Sequence, residues 1–567
     1  MDYSKSVIPS HLFGDRGSNL VVINPGSANI RIGLAQQDAP FNIPHCIARR
    51  MTGANESPRR NLQDQMLNSQ VTTAQHVERE KAYDIIASLL KIPFLDEEVA
   101  NNSHPRKMGR VDVLSQQNSK KETVFPWTDV FQKSQSKEAS TAPESSSREH
   151  ETIESPGPHE SNDGDKPQTS ELKYKEYICG EEAMRISPTE PYCLRRPIRR
   201  GHLNISQYYP MQQVLEDIQA IWDWILIDKL HIPHSERNMY SALIVVPETF
   251  DNREIKEILS IILRDLRFSS AVVHQEGLAA VFGNGLSTAC VVNIGAQVTS
   301  VICVEDGVAL PHTQMTLRFG GEDVSRCLLW TQRHHQTWPP IRTDALAKPI
   351  DLLMLNRLKE SYCQIYEGEV EAVGVVHSYE DGLPPGSHKT RLTALNVAPM
   401  GLFYPTLLVP DVYPPPPRSW FKDYEDMLED TWHIDFPRRP DVSDGLYSGI
   451  NNPLQMWDNY PYMSNQQKKE DNIGLADAIT KSILSTDWWS RFDSGSYFGC
   501  GGEVLQSRTN PLFVPWRGGA ILGVIDYGRD AWIHREDWIK NGIHIAGGRK
   551  YKDSYYLQAQ PMCYINS

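Results

Sequence analysis

The sequence predicts an α/β fold of two lobes built from a duplicated unit, and three observations support this. The chain has 567 residues, which is too many for a single hydrophobic core. Short β-branched strands are followed by helices with one apolar face. A strand that ends in a glycine turn occurs twice, at Val21–Gly26 and at Val291–Gly295, about 270 residues apart. We therefore expect two related lobes with insertions.

The first half of the chain has clear periodic segments. Leu20–Ile23 and Ile30–Leu34 are predicted to form a hairpin, because both are apolar and turn residues separate them. Thr72–Leu90 is predicted to be an amphipathic helix, and Met211–Leu230 to be a second one. Ala242–Val246 has the pattern of a buried strand.

A helix is then predicted at Asn252–Leu266, followed by a second hairpin of Cys290–Val292 and Ser300–Val304. In each hairpin, the backbone N–H groups of the glycine turn could face an anion held between the lobes. An ordinary turn between two strands has the same pattern, so both interpretations stay open.

Two segments have the composition of insertions. Ser134–Ser170 contains many serines and no aromatic residue. It cannot bury enough apolar surface to fold, and it is predicted to be disordered. A second irregular segment opens mainly at Pro414–Pro417, a stiff polyproline spacer, and runs to about Glu470.

Charge and hydropathy exclude several classes of protein. The net charge of −14 gives no general attraction to nucleic acid. A DNA contact would need a local basic patch, such as Arg195–Arg200 or His104–Arg110, although each is also compatible with a solvated surface. No apolar run reaches about 18 residues, and the first residues lack a signal segment, so we expect neither a membrane span nor secretion.

Cysteine usage favours a reducing compartment, the cytosol or the nucleus. The nine cysteines form no CxxC pair. Cys290, Cys303 and Cys327 lie among apolar residues, where a free thiol packs as a small hydrophobic group.

Six motifs in one order resemble those of the actin family. They are Asn24–Gly33, Asn293–Ser300, Val308–His312, Phe319–Asp323, Arg357–Glu360, and Val514–Leu522 followed by Ala531–Ile533. The resemblance covers most of the chain outside the two insertions. It implies an α/β, ribonuclease H-like duplicated fold in which an outer and an inner lobe enclose a central nucleotide cleft.

This resemblance also gives the domain boundaries. The outer lobe is expected at 15–288 with a helical insertion at 51–100 and a disordered insertion at about 101–170, the inner lobe at 289–510 with an insertion at about 406–470, and a C-terminal segment returning to the outer lobe at 511–567. Between Ser485 and Gln506 the chain is too short for the strand–helix–strand unit of the family. That shortage indicates a deletion near 486–503, which is either a natural variant or an artefact of the gene model.

Four further segments resemble the nuclear actin-related proteins of types 8 and 9: Pro44–Arg50, Val272–Glu276, Val324–Cys327 and Ala398–Pro405. The resemblance implies a scaffold subunit of an ATP-dependent chromatin-remodelling complex, with roles in transcription regulation and DNA repair. Such a subunit binds the motor subunit beside nuclear actin and another actin-related protein, and it helps to engage histones, nucleosomes or linker DNA. The nucleus is the expected location, and a share in the cytoplasm is compatible with it.

Two other functions stay open. The first is an actin-like ATPase or a sugar kinase on the same duplicated fold. The second is a cytoskeletal actin-related protein that caps or joins filaments, although the long insertions would obstruct filament packing.

The resemblance argues against ATP hydrolysis. Actin has an Asp in both phosphate hairpins where this chain has Asn24 and Asn293, and a neutral amide neither attracts Mg²⁺ nor acts as a base. Ala296 and Ser300 replace a further Asp and a His. Gln275 matches the glutamine that positions water, but most of its partners are lost. We therefore expect no catalytic residue and no metal site.

ATP binding is a separate question that the resemblance leaves open. The two turns could contact phosphates through their backbone, an arginine replaces a phosphate-contacting lysine, and a Lys–Glu pair flanks the adenosine in this family. The residues that would bind the cofactor are Gly26, Ser27, Arg31, Gln275, Gly295, Lys359 and Glu360. Each also has an ordinary structural interpretation, such as an exposed helical pair for the last two.

Overall fold

The computed structural model describes residues 16–51, 73–92, 175–186, 190–206, 209–345, 348–378, 386–410, 473–486, 507, 509–526 and 531–541. These residues all belong to one compact unit, formed by 1–93 and 174–567. The predicted insertions at about 101–170 and 406–470 and the predicted deletion near 486–503 lie wholly or mostly outside the described residues, as does the basic segment 104–110.

The described strands are β1 (Leu20–Pro25), β2 (Asn29–Leu34), β3 (Phe41–Pro44), β4 (Ile47–Arg50), β5 (Tyr177–Cys179), β6 (Tyr192–Arg195), β7 (Ile198–Arg199), β8 (His202–Leu203), β9 (Ser241–Val246), β10 (Ser270–Gln275), β11 (Ala289–Ile294), β12 (Thr299–Glu305), β13 (Val308–Ala309), β14 (Met315–Leu317), β15 (Ala372–Ser378), β16 (Gly386–Leu392) and β17 (Ile533–His534). The described helices are α1 (Thr73–Leu89), α2 (Glu181–Met184), α3 (Met211–Asp228), α4 (Asn252–Ser260), α5 (Glu276–Gly283), α6 (Gly321–His334), α7 (Pro349–Tyr362), α8 (Val397–Met400), α9 (Leu475–Leu484), α10 (Val514–Val524) and α11 (Arg535–Asn541).

The predicted strands and helices of the two lobes are confirmed within a few residues at each end. Helix α4 begins at a capping box, in which Asp251 accepts from the backbone N–H of Glu254 and the Glu254 side chain bonds back to Asp251. A π-helical turn, Ile261–Asp265, continues α4 and completes the predicted helix. No helix among the described residues is long and apolar enough to cross a membrane.

The strands form two main sheets with matching meanders. In the first sheet the order is β17-β10-β9-β1-β2-β3, and β1, β9 and β10 are parallel. In the second sheet β12 pairs in antiparallel fashion with β11, β13 and β14. The meander β1-β2-β3 therefore corresponds to β11-β12-β14, which confirms the predicted duplication. Smaller sheets are formed by β5-β4-β6, by β7-β8 and by β15-β16.

Three apolar clusters define the layers of the fold. The first packs Ile23 and its sheet against helices α3 and α4, with Trp222 fully buried. The second packs one face of the second sheet, including Val301, against α1, α6, α7 and α9. The third joins Val22 of the first sheet and Ile302 of the second to helices α5 and α10. Helices α5 and α10 therefore lie between the two sheets.

Helix α1 packs on the inner lobe. Its buried residues Ala82, Tyr83 and Ile86 belong to the cluster of α6 and α7, and the Tyr83 hydroxyl lies 2.7 Å from Nε2 of His335. The sequence analysis gave 51–100 as a helical insertion in the outer lobe, and the helix of this insertion packs against the inner lobe. An amphipathic pattern shows that one face is buried, but it does not show which part of the protein buries it.

Candidate functional site

The two glycine turns converge on one carboxylate. Asn24, at the end of β1, donates from Nδ2 to Oε1 of Glu276 at 3.1 Å, and the side chain of Asn293, at the end of β11, also hydrogen-bonds Glu276. Asn24 is fully buried and donates from the same amide to the Val245 carbonyl at 3.0 Å. The two Asn residues of the predicted cleft are therefore brought together by Glu276, the first residue of α5.

The glycines themselves do not supply the predicted N–H donors. Gly26 N donates to the Asn29 carbonyl at 3.0 Å, and Gly295 N donates to the Val298 carbonyl at 2.9 Å, so each closes its own turn. The N–H groups that have no protein partner within the described part of the chain belong to the next two residues of each turn: Ser27, Ala28, Ala296 and Gln297. These four donors keep the turns suited to an anion.

Arg31 supplies a cation on β2 beside the first turn. Its Nη1 donates to Oδ1 of Asn24 at 3.1 Å. The Glu276 carboxylate is close enough for an electrostatic interaction with the guanidinium group. Burial lowers the pKa of Arg31, and the Glu276 carboxylate partly offsets this effect. Its Nε is buried without a hydrogen-bond partner. An unmatched buried donor of this kind is costly unless a ligand accepts from it.

Gln275 lies at the end of β10, on the wall of a cavity of about 180 Å³ that Glu248 also lines. Its Oε1 is buried and accepts no hydrogen bond within the described residues. Gln275 directly precedes Glu276, to which both turn amides bond, while within the described residues its own carbonyl group has no protein partner to orient it.

Glu248 and Glu276 are two acids at the floor of the cleft. The Glu248 carboxylate accepts from Gly277 N and from Oγ of Ser300, the latter at 3.0 Å. Burial, and then the nearby charge of Glu276, raises the pKa of Glu248 to about 7. Burial likewise raises the pKa of Glu276, and Arg31 opposes that rise. An acid that is half protonated near neutral pH is a weak ligand for a divalent cation.

Replacing Glu248 by glutamine is expected to raise the free energy of unfolding at pH 7.5 by on the order of 1–3 kcal/mol. The folded-state pKa of about 7 is above the ordinary value of 4.5, so folding favours the protonated acid. The contribution of Glu248 is then complete below about pH 4.5 and is lost as the pH rises through 7. Glutamine keeps the shape of the carboxyl group and cannot ionise.

Urea denaturation of the wild type and of Glu248→Gln at pH 4.5 and 7.5 measures the difference in their free energies of unfolding. Glu236→Gln, at an exposed turn, is the matched control and should leave the pH dependence of stability unchanged. Equal loss of stability in the wild type and in Glu248→Gln between the two pH values would contradict the prediction.

On helix α7, Lys359 lies next to the second turn, and Glu360 follows it in the chain. Nζ of Lys359 donates to the Gly321 carbonyl at 2.8 Å, and burial lowers its pKa, with Glu360 opposing the shift. The neighbouring backbone of α6 holds the second turn, since Gly321 N donates to the Gly295 carbonyl at 2.9 Å. The Glu360 side chain is exposed. The Lys359 ammonium group therefore already bonds to the backbone that holds the second turn.

The basic segment Arg195–Arg200 is not a free DNA-binding patch. Arg200 is buried and forms a two-bond ion pair with Asp323, at 2.6 and 2.8 Å. Its Nη1 also donates to the Gln297 carbonyl at 2.6 Å, which ties the outer lobe to the second turn. Other ion pairs of the segment are Arg196–Glu322 at 3.1 Å and Arg195–Asp217 at 3.9 Å. These guanidinium groups neutralise internal acids, so the segment is unsuited to phosphate contact.

Sequence reasoning missed Glu248 and Glu276. Both follow parallel strands, β9 and β10, at the edge where the carboxyl ends of neighbouring strands meet. Ligand-binding residues are common at that position in α/β proteins. A carboxylate shortly after each of two buried strands was the signal that could have identified them.

Comparisons with known proteins match the whole chain. The sequence model of the family Actin matches residues 16–488. Actin-related protein 9 of Oryza sativa subsp. indica is 57% identical over 603 aligned positions that cover 100% of both chains. Actin-related protein 9 of Arabidopsis thaliana is 54% identical over 596 positions, with 100% of this chain and 98% of that protein covered.

A solved structure, human actin-related protein Arp8 in its ATP-bound state, matches with a TM-score of 0.63 and 24% sequence identity. The match covers 96% of this chain and 98% of the human chain, and it shows that the two share one fold. The alignment with the rice protein, at 603 positions, is longer than this chain of 567 residues. The rice protein therefore has residues that this chain lacks, which is compatible with a deletion near 486–503.

Proposed function

Since this chain belongs to the actin family, we propose that it is a nuclear, non-catalytic scaffold subunit of an ATP-dependent chromatin-remodelling complex. In this proposal it binds the motor subunit beside nuclear actin and another actin-related protein, and it helps to engage histones or linker DNA. The similarity to plant actin-related proteins 9 along the whole chain supports this assignment.

The observation that carries the non-catalytic part is the hydrogen-bonding of Glu276. This carboxylate lies where the two turns meet, and both turn amides, Asn24 and Asn293, bond to it. A carboxylate that is held by two amides and that faces Arg31 has little capacity left to hold the water shell of Mg²⁺. Within the described residues, no group of three or more His, Cys, Asp or Glu side chains could hold a metal ion.

The same cleft fits the phosphates of ATP better than it fits a metal ion. The free N–H groups of Ser27, Ala28, Ala296 and Gln297 and the unpartnered Nε of Arg31 are all hydrogen-bond donors. The human relative of the same fold is ATP-bound. We therefore infer that ATP, where it binds, stabilises the junction of the two turns without being hydrolysed. A ligand that binds only the folded state stabilises it by an amount that grows with the logarithm of its concentration above the dissociation constant.

Replacing Arg31 by alanine is expected to weaken ATP binding at least tenfold, which is about 1.4 kcal/mol. The change removes a cation with a free donor, and it also leaves the Glu276 charge uncompensated toward the phosphates. Isothermal titration with ATP in EDTA measures the affinity. Arg264→Ala, at an exposed arginine paired with Asp265, is the control and should bind as the wild type does.

Equal affinity of Arg31→Ala and the wild type would contradict this role for Arg31. Release of phosphate from ATP by the purified wild type in Mg²⁺ would instead favour an actin-like ATPase. A strict requirement for Mg²⁺ in binding would contradict the inference that the cleft accepts the phosphates without a metal ion.

Affinity purification of the tagged chain from nuclei, followed by quantitative mass spectrometry, tests the scaffold function. We expect a remodeller motor subunit, nuclear actin and a second actin-related protein, all absent from a tag-only control. Recovery of filamentous actin with its capping proteins and no motor subunit would favour the cytoskeletal alternative. Recovery of chaperones alone would show that this chain does not assemble, and the proposed function would then fail for it.

A further inference from the structure

Cys290 and Cys303 face each other directly across β11 and β12. The backbone N–H of Cys303 donates to Oγ1 of Thr313 at 2.9 Å, and its carbonyl accepts from Leu310 N at 2.9 Å. Both backbone groups therefore point away from β11. This makes the two cysteines a non-hydrogen-bonded pair, in which Cα atoms lie about 4.5 Å apart and side chains are close. A disulfide spans Cα separations of about 4.4–6.8 Å.

The two sulfur atoms already interact as free thiols. The Cys290 thiol donates a hydrogen bond to Cys303, and this bond is the main reason that the pKa of Cys303 is lowered to about 6, against the opposing effect of burial. Ser482 of helix α9 lies over the pair, with its Oγ 3.4 Å from the Cys303 sulfur. The hydrogen bond with Cys303 also raises the pKa of Cys290. The Cys303 sulfur is thus the one that forms a thiolate more readily, and the Cys290 sulfur retains its proton.

Solvent reaches the pair at Cys290. Cys290 is half-buried, whereas Cys303, beside it on β12, is buried. Further along the same face of β11, Val292 and Ile294 are exposed by 37% and 46%. A small oxidant therefore reaches the pair at Cys290, its half-buried member.

We propose that Cys290 and Cys303 are a redox-modification site that forms a reversible cross-strand disulfide with a peroxide as oxidant. The Cys303 thiolate attacks one oxygen of hydrogen peroxide, the O–O bond breaks, and the other oxygen leaves as hydroxide, which a proton converts to water. The Cys290 sulfur then attacks the resulting sulfenic acid, loses its proton and displaces a second water. Two electrons pass from the two sulfurs to the peroxide, and a thiol reductant reverses the reaction.

In the test, the full-length native protein is exposed to low concentrations of hydrogen peroxide and then alkylated. It is digested with trypsin, and the masses of the peptides are measured by mass spectrometry. Residues 268–318 form one tryptic peptide whose cysteines are Cys290 and Cys303 only. We expect this peptide to lose the mass of two hydrogen atoms and to resist alkylation, and we expect dithiothreitol to restore both properties. In Cys290→Ser, Cys303 should stop at the sulfenic acid, which dimedone traps.

Cys363 is the internal control, because it is also a partly buried thiol and burial raises its pKa to about 12. Cys363→Ser should leave the disulfide yield in the 268–318 peptide unchanged. The proposal is overturned if the wild-type peptide gains oxygen without losing hydrogen, or if both cysteines remain open to alkylation while Cys363 is oxidised. It is also overturned if the disulfide forms only after denaturation.

Discussion

Replacing Gly518 by alanine is expected to lower the free energy of unfolding by more than about 3 kcal/mol. Helices α5 and α10 cross at this glycine, between the two sheets. A Cβ atom built on Gly518 would overlap the carbonyl oxygen of Ala279, which is backbone and cannot turn aside. The two helices would have to separate, and the contacts of buried residues such as Trp516 and Leu278 would be lost.

Gly523→Ala, on the same helix, is the matched control. There the added carbon would meet the ends of the Leu20 and Leu243 side chains, which can change rotamer, so a smaller loss is expected. Thermal and urea denaturation of the two variants compares the effects. Equal stability of Gly518→Ala and the wild type would show that the helices separate without cost and that this layer is loosely packed.

Replacing Arg200 by alanine is expected to cost about 3–5 kcal/mol, because it leaves the Asp323 carboxylate buried with much of its charge uncompensated. The side chains of Arg200 and Asp323 are only 4% and 0% exposed. Asp323 also accepts from Gly320 N and pairs with Arg326, and without Arg200 its carboxylate must find another partner or water. The loss should open the outer lobe relative to the second turn, since Arg200 also donates to Gln297.

A double variant distinguishes the effect of the two buried charges from the effect of the volume that the two side chains fill. Arg200→Met combined with Asp323→Leu should recover part of the stability, because apolar replacements remove both buried charges, although the capping bond to Gly320 is lost. Arg185→Ala breaks an exposed pair with Glu181 and should change stability by less than about 0.5 kcal/mol. A loss in Arg200→Ala no larger than that in Arg185→Ala would contradict a structural role for the buried pair.

Much of the secondary structure could be predicted because it depends on local patterns. The strands of both hairpins are short β-branched runs, and the turns between them contain the residues that turns require. The amphipathic helices at Thr73–Leu89 and Met211–Asp228 follow from apolar spacing. The duplication of the hairpin was visible for the same reason, since each copy repeats its own local signals.

The partners of the charged residues could not be predicted. Arg200 resembles a surface cation in the sequence, and its acid lies 123 positions away. Gly26 and Gly295 were expected to donate to phosphates, but their N–H groups close the turns, and the free donors are the neighbouring residues. The nearest partner of a polar group depends on which segments meet in space, and no local pattern records that.

The sequence by itself therefore determined the α/β elements, the repeated turns and the loss of acids at Asn24 and Asn293. Only the tertiary structure decided that helix α1 packs on the inner lobe, that Glu276 occupies the junction of the two turns, and that the basic run is internal. The physical reason is that hydrogen bonds within a turn or helix join residues close in sequence, whereas burial and ion pairing join residues from distant segments. These long-range contacts set the charge of the cleft, and with it the function that we propose.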